Sequence, residues 1–164
     1  MKKSFLSTLM AGLAVVAFTF SSCTTDPCKD VTCENGGECV DGDCVCADGY
    51  EGTTCDTEMR AKFLGNFLAN ETGVVDYACT VSTSSTGIDK IAISGFGGYA
   101  CGGSDIVVIC TVNGTDLTVD ANQSFCAGQI VIDSGSGSIN ASGNVITITY
   151  STGGAQYTTT YTRP

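Results

Sequence analysis

Six cysteines lie within 28 consecutive residues of this chain, from Cys28 to Cys55, with the spacing C-x4-C-x5-C-x4-C-x-C-x8-C. A segment this short buries too little apolar surface to fold without cross-links. Zinc ligation is the alternative use of such cysteines, but the chain has no histidine, which disfavours a zinc site. We therefore expect three disulfides, and the spacing alone leaves open which of the fifteen pairings they adopt.

Glycine and aromatic residues occupy regular places between these cysteines. Asn35-Gly36-Gly37 stands between the second and third cysteines, Gly49-Tyr50 follows the fifth, and Gly52 comes three residues before the sixth. Glycine suits tight turns because it adopts a positive φ at little cost. With this pattern, residues 28–55 resemble an EGF-like module. The resemblance implies the pairings Cys28–Cys39, Cys33–Cys44 and Cys46–Cys55.

Some EGF-like modules bind calcium through oxygen ligands before the first cysteine and after the third. Asp26 and Asp41 stand at such places and are the candidate ligands of a weak calcium site. The pattern is partial, because Pro27 and Thr24 occupy positions where the family carries acidic or amide side chains. Solvated carboxylates without a metal are the alternative. No other cofactor is expected.

The N-terminus has the layout of a secretory signal peptide. Lys2 and Lys3 precede an apolar stretch of 16 residues, and a transmembrane helix needs about 20. Ser21-Ser22-Cys23 at its end resembles the lipobox of bacterial lipoproteins, although that family usually has Leu where this chain has Phe20. The resemblance implies removal of residues 1–22 and lipidation of Cys23 with acyl chains such as palmitate.

The cysteine count agrees with this interpretation of the N-terminus. The chain has 11 cysteines, and an odd number in a secreted protein leaves one thiol unpaired. Lipidation of Cys23 would leave an even number for disulfides. We therefore expect a secreted protein that is held at the outer membrane by its lipid, at the cell surface, with residues 23–27 as a short tether.

Charge and composition exclude several functions. With 7 basic and 17 acidic residues, the chain has a formal net charge of −10, which disfavours a nucleic-acid partner. The absence of histidine removes the commonest general acid–base and metal ligand. The sequence shows no arrangement of nucleophile and base, so we expect no enzymatic activity.

The composition changes after residue 65 to threonine, serine, glycine, valine and isoleucine. Apolar and polar residues alternate in short runs, for example in 144–151, and Asn113-Gly114 is a strong hairpin signal. We predict a connector over residues 56–65 and an antiparallel meander of about eight strands over residues 66–164, as a small barrel or sandwich. The predicted fold class is all-β, a disulfide-rich EGF-like module followed by this meander.

Four further cysteines lie in the predicted β domain. We expect them to form two structural disulfides, and the sequence does not choose among the three pairings. The residues are Cys79, Cys101, Cys110 and Cys126.

As a whole, this order of parts resembles EGF-bearing surface lipoproteins of the Bacteroidota, in which one EGF-like module precedes a small β domain. The resemblance implies a non-catalytic binding or adhesion protein of the cell envelope, with the module as a spacer or contact surface. The expected partners are the membrane, through the lipid, and a protein or glycan at the cell surface. The alternative is a carrier of a small lipid or sugar inside a β-barrel.

Overall fold

A computed structural model describes residues 26–164 of the chain; the predicted signal peptide and the predicted lipidation site Cys23 lie outside the described residues. The described part is all-β, with three short 3-10 helices at Met59–Phe63, Phe96–Gly98 and Cys126–Gly128. Within it, no helix is long and apolar enough to cross a membrane. The strands are β1 Glu38–Val40, β2 Asp43–Val45, β3 Tyr50–Glu51, β4 Thr57–Glu58, β5 Gly65–Glu71, β6 Tyr77–Thr83, β7 Lys90–Ser94, β8 Ala100–Cys101, β9 Ser104–Asp105, β10 Val107–Asn113, β11 Asp116–Val119, β12 Gln123–Phe125, β13 Ile130–Ile139, β14 Val145–Thr152 and β15 Ala155–Thr162.

The N-terminal module consists of two small hairpins, β1–β2 and β3–β4. Its disulfides are Cys28–Cys39, Cys33–Cys44 and Cys46–Cys55, the pairings that the EGF-like resemblance implies. Because β4 pairs with β3, the hairpin extends into the segment predicted as a connector. The rest of that segment is the 3-10 helix, and β5 begins at its last residue, Gly65.

Eight of the later strands form a closed antiparallel barrel in the order β5, β6, β7, β10, β11, β13, β14, β15. β5 and β15, the first and last of these strands in the chain, are neighbours, with Tyr161 lying opposite Ala69. A pairing between β11 and β13 completes the ring. The predicted meander therefore forms a barrel and not a sandwich.

The alternation along each strand determines which side chains fill the barrel. On β14, Ile146, Ile148 and Tyr150 are buried, while the threonines between them face outward. β14 and β15 are joined by Gly153-Gly154, and both glycines have positive φ, which suits a two-residue hairpin turn. The buried side chains form a single core inside the barrel.

β13 is longer than its composition indicates. The run Ser134–Ser138, with two glycines among three serines, has the composition of a loop, yet the strand continues through it to Ile139. A side chain at Gly135 would collide with Tyr150 and Val119, so glycine allows β13 to lie close against its neighbours. A bulge between Ile132 and Ser134 bends the strand at this place.

The expectation of two disulfides in the β domain is wrong. Cys101–Cys126 is a disulfide, but Cys79 and Cys110 are buried free thiols. Cys79 lies on β6 and Cys110 on β10, and β7 lies between these two strands. Two strand spacings are about 9.5 Å, beyond the roughly 7 Å that a disulfide spans between Cα atoms. Both thiols serve as small apolar core residues.

Candidate binding surfaces

The module is seated against one end of the barrel. The side chain of Ile88, in the loop between β6 and β7, lies against Gly49 of the module. The Met59 N–H donates to the Gly49 carbonyl at 2.9 Å, and the Lys62 ammonium pairs with the Glu51 carboxylate at 2.7 Å. We call this end, where the module and the connector contact the β6–β7 loop, the joint end.

Two arginines fix the joint end. Arg60 donates through Nη1 to the carbonyl oxygens of Ser84, Gly87 and Lys90, at 2.9 to 3.2 Å. Arg163, next to the end of β15, donates to carbonyls of the connector and lies over the ring of Phe67. Guanidinium groups with this many charge-assisted bonds hold backbone segments in place. These bonds hold the connector against the barrel, and the Lys62–Glu51 pair joins the connector to the module.

The opposite end of the barrel carries two long connections, 95–106 between β7 and β10 and 120–129 between β11 and β13. Cys101–Cys126 ties these two connections together. Phe96 from the first connection is fully buried and packs edge-on against Tyr150, with ring centroids 4.7 Å apart. We call this the loop end, and its connections close the barrel interior on that side.

A polar cluster lies in the barrel near the loop end. Glu71 is 7% exposed, and its carboxylate accepts hydrogen bonds from the hydroxyls of Tyr150 and Thr159. The hydroxyls of Tyr77 and Tyr161 are buried and have no partner in the described part of the chain. Charged or hydrogen-bonding groups in a core are costly unless they are satisfied.

The tyrosines of this cluster keep their protons at neutral pH. Burial raises the pKa of Tyr77 to about 12. Burial, with Tyr99 and Glu71 nearby, raises the pKa of Tyr150. Burial, with Tyr77 nearby, also raises the pKa of Tyr161. Each hydroxyl therefore keeps its proton well above pH 7.

An open cavity of about 270 Å³ lies on the outer wall of the barrel. We call it the hydroxyl groove, and it crosses three neighbouring strands, β13, β14 and β15. Its lining has hydroxyl and amide side chains, together with the backbone of Gly135 and of Tyr150, whose side chain is buried in the core. The lining residues are Ser134, Gly135, Ser136, Thr149, Tyr150, Ser151 and Gln156.

The candidate calcium ligands lie on the module surface. The Asp26 carboxylate accepts a hydrogen bond from the Cys28 N–H at 2.9 Å, and both residues of this contact are near the start of the described chain. Asp41 is exposed in the β1–β2 turn with φ 53°. Among the described residues, no group of three or more acidic, cysteine or histidine side chains is arranged to hold a metal ion. Calcium binding stays a prediction.

The sequence did not predict the polar cluster or the hydroxyl groove. Glu71 ends a run of alternating residues, and its inward position follows from its phase with Phe67 and Ala69. This alternation is the sequence feature from which the buried position of Glu71 could have been predicted. The groove had a weaker signal, because serine and threonine are common on the solvent face of any strand.

Comparison with known proteins gives limited similarity. A scan against models of protein families finds no match, and no solved structure matches the chain. A neurogenic locus notch homolog protein of Giardia intestinalis is 32% identical over 117 residues, which are 66% of this chain and 19% of that protein. The chain thus spans about a fifth of this relative's length. The similarity and the three N-terminal disulfides fit an EGF-like module.

Proposed function

We propose that this chain is a lipid-anchored, non-catalytic binding protein of the cell envelope. The EGF-like module would act as a pedestal, and the barrel would present the binding surface. The fixed joint carries this proposal, because a pedestal must hold the domain above it in a defined orientation. The bonds from Arg60 and the Lys62–Glu51 pair are the contacts that provide this orientation.

The proposed anchor would place the module next to the membrane. Only four residues separate Cys23 from Cys28, and an extended chain covers at most about 3.6 Å per residue. The first disulfide of the module would then lie within roughly 18 Å of the lipid attachment. The loop end and the barrel wall would lie beyond the module, where they are accessible to partners outside the cell.

A protein or glycan is the proposed partner, and a non-catalytic role fits the chemistry of the described surfaces. Disulfides in the module and at the loop end suit exposure outside the cell, where thiols oxidise. The Giardia relative is named as a Notch homolog, and the binding role proposed for this chain agrees with that likeness. The tyrosines near Glu71 keep their protons at neutral pH, because burial raises their pKa values.

A small-ligand carrier is the second candidate. The closed barrel is the architecture that a carrier needs. Its core, however, includes the large buried side chains of Phe63, Phe96, Tyr150 and Tyr161, which occupy the space that a ligand would take. The outer surfaces therefore support binding better than the interior does.

The test of this proposal is to locate the protein in intact cells of its source, with an antibody against the barrel. We expect the protein in the membrane fraction and its removal by protease added outside the cells. A Cys23→Ala variant should lose the lipid and leave the membrane fraction, while a Ser22→Ala variant is the control that keeps the cysteine. A protein that resists the protease until the outer membrane is broken would contradict the surface role.

A further inference from the structure

The hydroxyl groove results from the bend in β13. The first part of this strand, Ile130–Ile132, pairs with β12, and the later part, from Gly135 to Ser138, pairs with β11. The bulge before Ser134 lies where the partner changes. β13 is therefore irregular at this point, and the groove lies directly after the bulge, beside Ser134 and Gly135.

Strand register sets the polar side chains of the groove in two rows. Ser134, Ser151 and Gln156 lie side by side across β13, β14 and β15. Ser136 and Thr149 form the next row, which continues to Thr158 on β15. Neighbouring strands are about 4.8 Å apart, so a small molecule in the groove can reach several hydroxyls at once.

The lining of the groove contains no charged side chain, although the chain is strongly acidic. An anionic ligand would need basic groups, and a cation would need carboxylates. An apolar ligand would need aliphatic or aromatic side chains on the exposed lining. Serine and threonine hydroxyls and the glutamine amide each donate and accept hydrogen bonds. The matching ligand is therefore neutral and carries many hydroxyls.

Two groups in the groove are free to bind such a ligand. Within the described chain, the Ser136 hydroxyl and the Gln156 amide make no side-chain hydrogen bond, and both residues are exposed. By contrast, the Ser134 and Ser151 hydroxyls bond each other at 3.3 Å, and Thr149 bonds Thr158 at 2.9 Å. These pairs hold the neighbouring hydroxyls in fixed positions.

We propose that the hydroxyl groove binds a neutral saccharide unit. This inference rests on the proposed function, since it names the class of partner that the barrel wall takes. Gln156 and Ser136 would make the principal hydrogen bonds, and Thr149 would bound the site on β14. A shallow, wet site with few contacts gives weak binding for one unit. Several anchored copies on one surface would bind a repeating glycan more tightly.

The experiment is a titration of the full-length protein, as the soluble Cys23→Ala variant, with neutral mono- and disaccharides, followed by amide NMR. The probes are glucose, galactose, mannose, fucose, N-acetylglucosamine and lactose, with glucuronic acid as a charged comparison. We expect at least one neutral sugar to shift the amides of residues 134–136, 149–151 and 156. Glucuronic acid should shift these amides less.

Substitutions then test whether the sugar binds in the groove or elsewhere on the outer wall of the barrel. Gln156→Ala combined with Ser136→Ala should weaken binding by about tenfold, which corresponds to about 1.4 kcal/mol. Ser136→Tyr fills the groove and should abolish the shifts. Thr80→Val is the matched control, because Thr80 is an exposed strand threonine on β6 and its change should leave binding unaltered.

Shifts confined to other residues, or no shifts with any neutral sugar, would overturn the saccharide proposal. Equal binding by Ser136→Tyr and by the unsubstituted groove would overturn it as well. These results would not affect the pedestal proposal, which depends on lipidation and surface exposure. Conversely, an unlipidated periplasmic protein whose groove binds a sugar would refute the anchored surface role and keep the saccharide site.

Discussion

The module and the barrel are stabilised in different ways. Across residues 26–58, Cys55 is the single buried hydrophobic side chain, and three disulfides close loops with sequence separations of 9 to 11 residues. The barrel has one disulfide and a continuous core of aliphatic and aromatic side chains. The stability of the module therefore comes mainly from disulfides that restrict its unfolded state. The stability of the barrel comes mainly from burial of apolar surface.

Charge strengthens this contrast. Residues 26–58 contain ten acidic residues and one lysine, so the module repels itself when it is compact. The barrel has fewer acids spread over three times the length, and one of them, Glu71, is inside. The difference shows that covalent staples allow a highly charged, nearly coreless segment to keep one structure.

The largest expected effect comes from removing a bridge in the module. Cys46→Ser with Cys55→Ser should cost about 2–5 kcal/mol, and the module should unfold while the barrel stays folded. Amide NMR would show loss of dispersion for residues 28–58 alone. Cys101→Ser with Cys126→Ser is the matched control, since it removes a bridge from a region that has a core. A module that stays folded without its bridge would contradict the comparison.

Shortening a side chain in the barrel core should destabilise the barrel. Ile148 is fully buried, and Ile148→Ala should lower the free energy of unfolding of the barrel by about 2–5 kcal/mol. Urea denaturation followed by circular dichroism measures this loss. Val75→Ala is the surface control, because Val75 is 87% exposed, and its effect should stay within about 0.5 kcal/mol. A similar loss for both variants would mean that burial does not govern barrel stability.

A substitution at the joint tests whether the stability of the module depends on its contact with the barrel. Arg60→Met removes a guanidinium that bonds the carbonyls of Ser84, Gly87 and Lys90, at an expected cost of about 2–3 kcal/mol. Hydrogen exchange should become faster for residues 84–90 and for the module hairpin β3–β4. Lys29→Met changes an exposed cation of the module and should leave these rates unaltered. Unchanged exchange in Arg60→Met would show that the joint is not fixed by this residue.

The smallest expected effect concerns the two free thiols. Burial raises the pKa of Cys79 from 9.0 to about 12 and also raises the pKa of Cys110. In the Cys23→Ala variant, a thiol reagent at pH 8 should therefore label neither cysteine when the protein is folded and both when it is denatured. Labelling of the folded protein would show that one of these residues is accessible.

The same shifts give a pH dependence of stability. Above pH 9 the unfolded chain releases thiol protons that the folded barrel keeps, so folded stability falls as the pH rises. The loss should continue at least to about pH 12, where Cys79 and Tyr77 ionise in the folded state. Urea midpoints measured from pH 8 upward would test this slope. Cys79→Ala should make the slope smaller.

Local patterns in the sequence were enough to predict the features that depend on single strands and turns. Cysteine spacing with glycine turns identified the module, and alternation placed Ile146, Ile148 and Tyr150 on one face. The sequence did not distinguish a barrel from a sandwich, because buried and exposed residues alternate along the strands in both. Strand patterns describe single strands and near neighbours, whereas barrel closure depends on distant strands meeting at their edges.

Features that involve several strands are visible only in the folded barrel. Cys79 and Cys110 stay apart because β7 separates them, although their number had indicated a disulfide. The serine–glycine run of β13 continues as a strand because β14 and β11 pair with it from both sides and exclude a side chain at Gly135. The groove at its bend depends on these same contacts. Alternation sets which face of a strand is buried, but the pairing of strands far apart in sequence also depends on how their buried faces pack together.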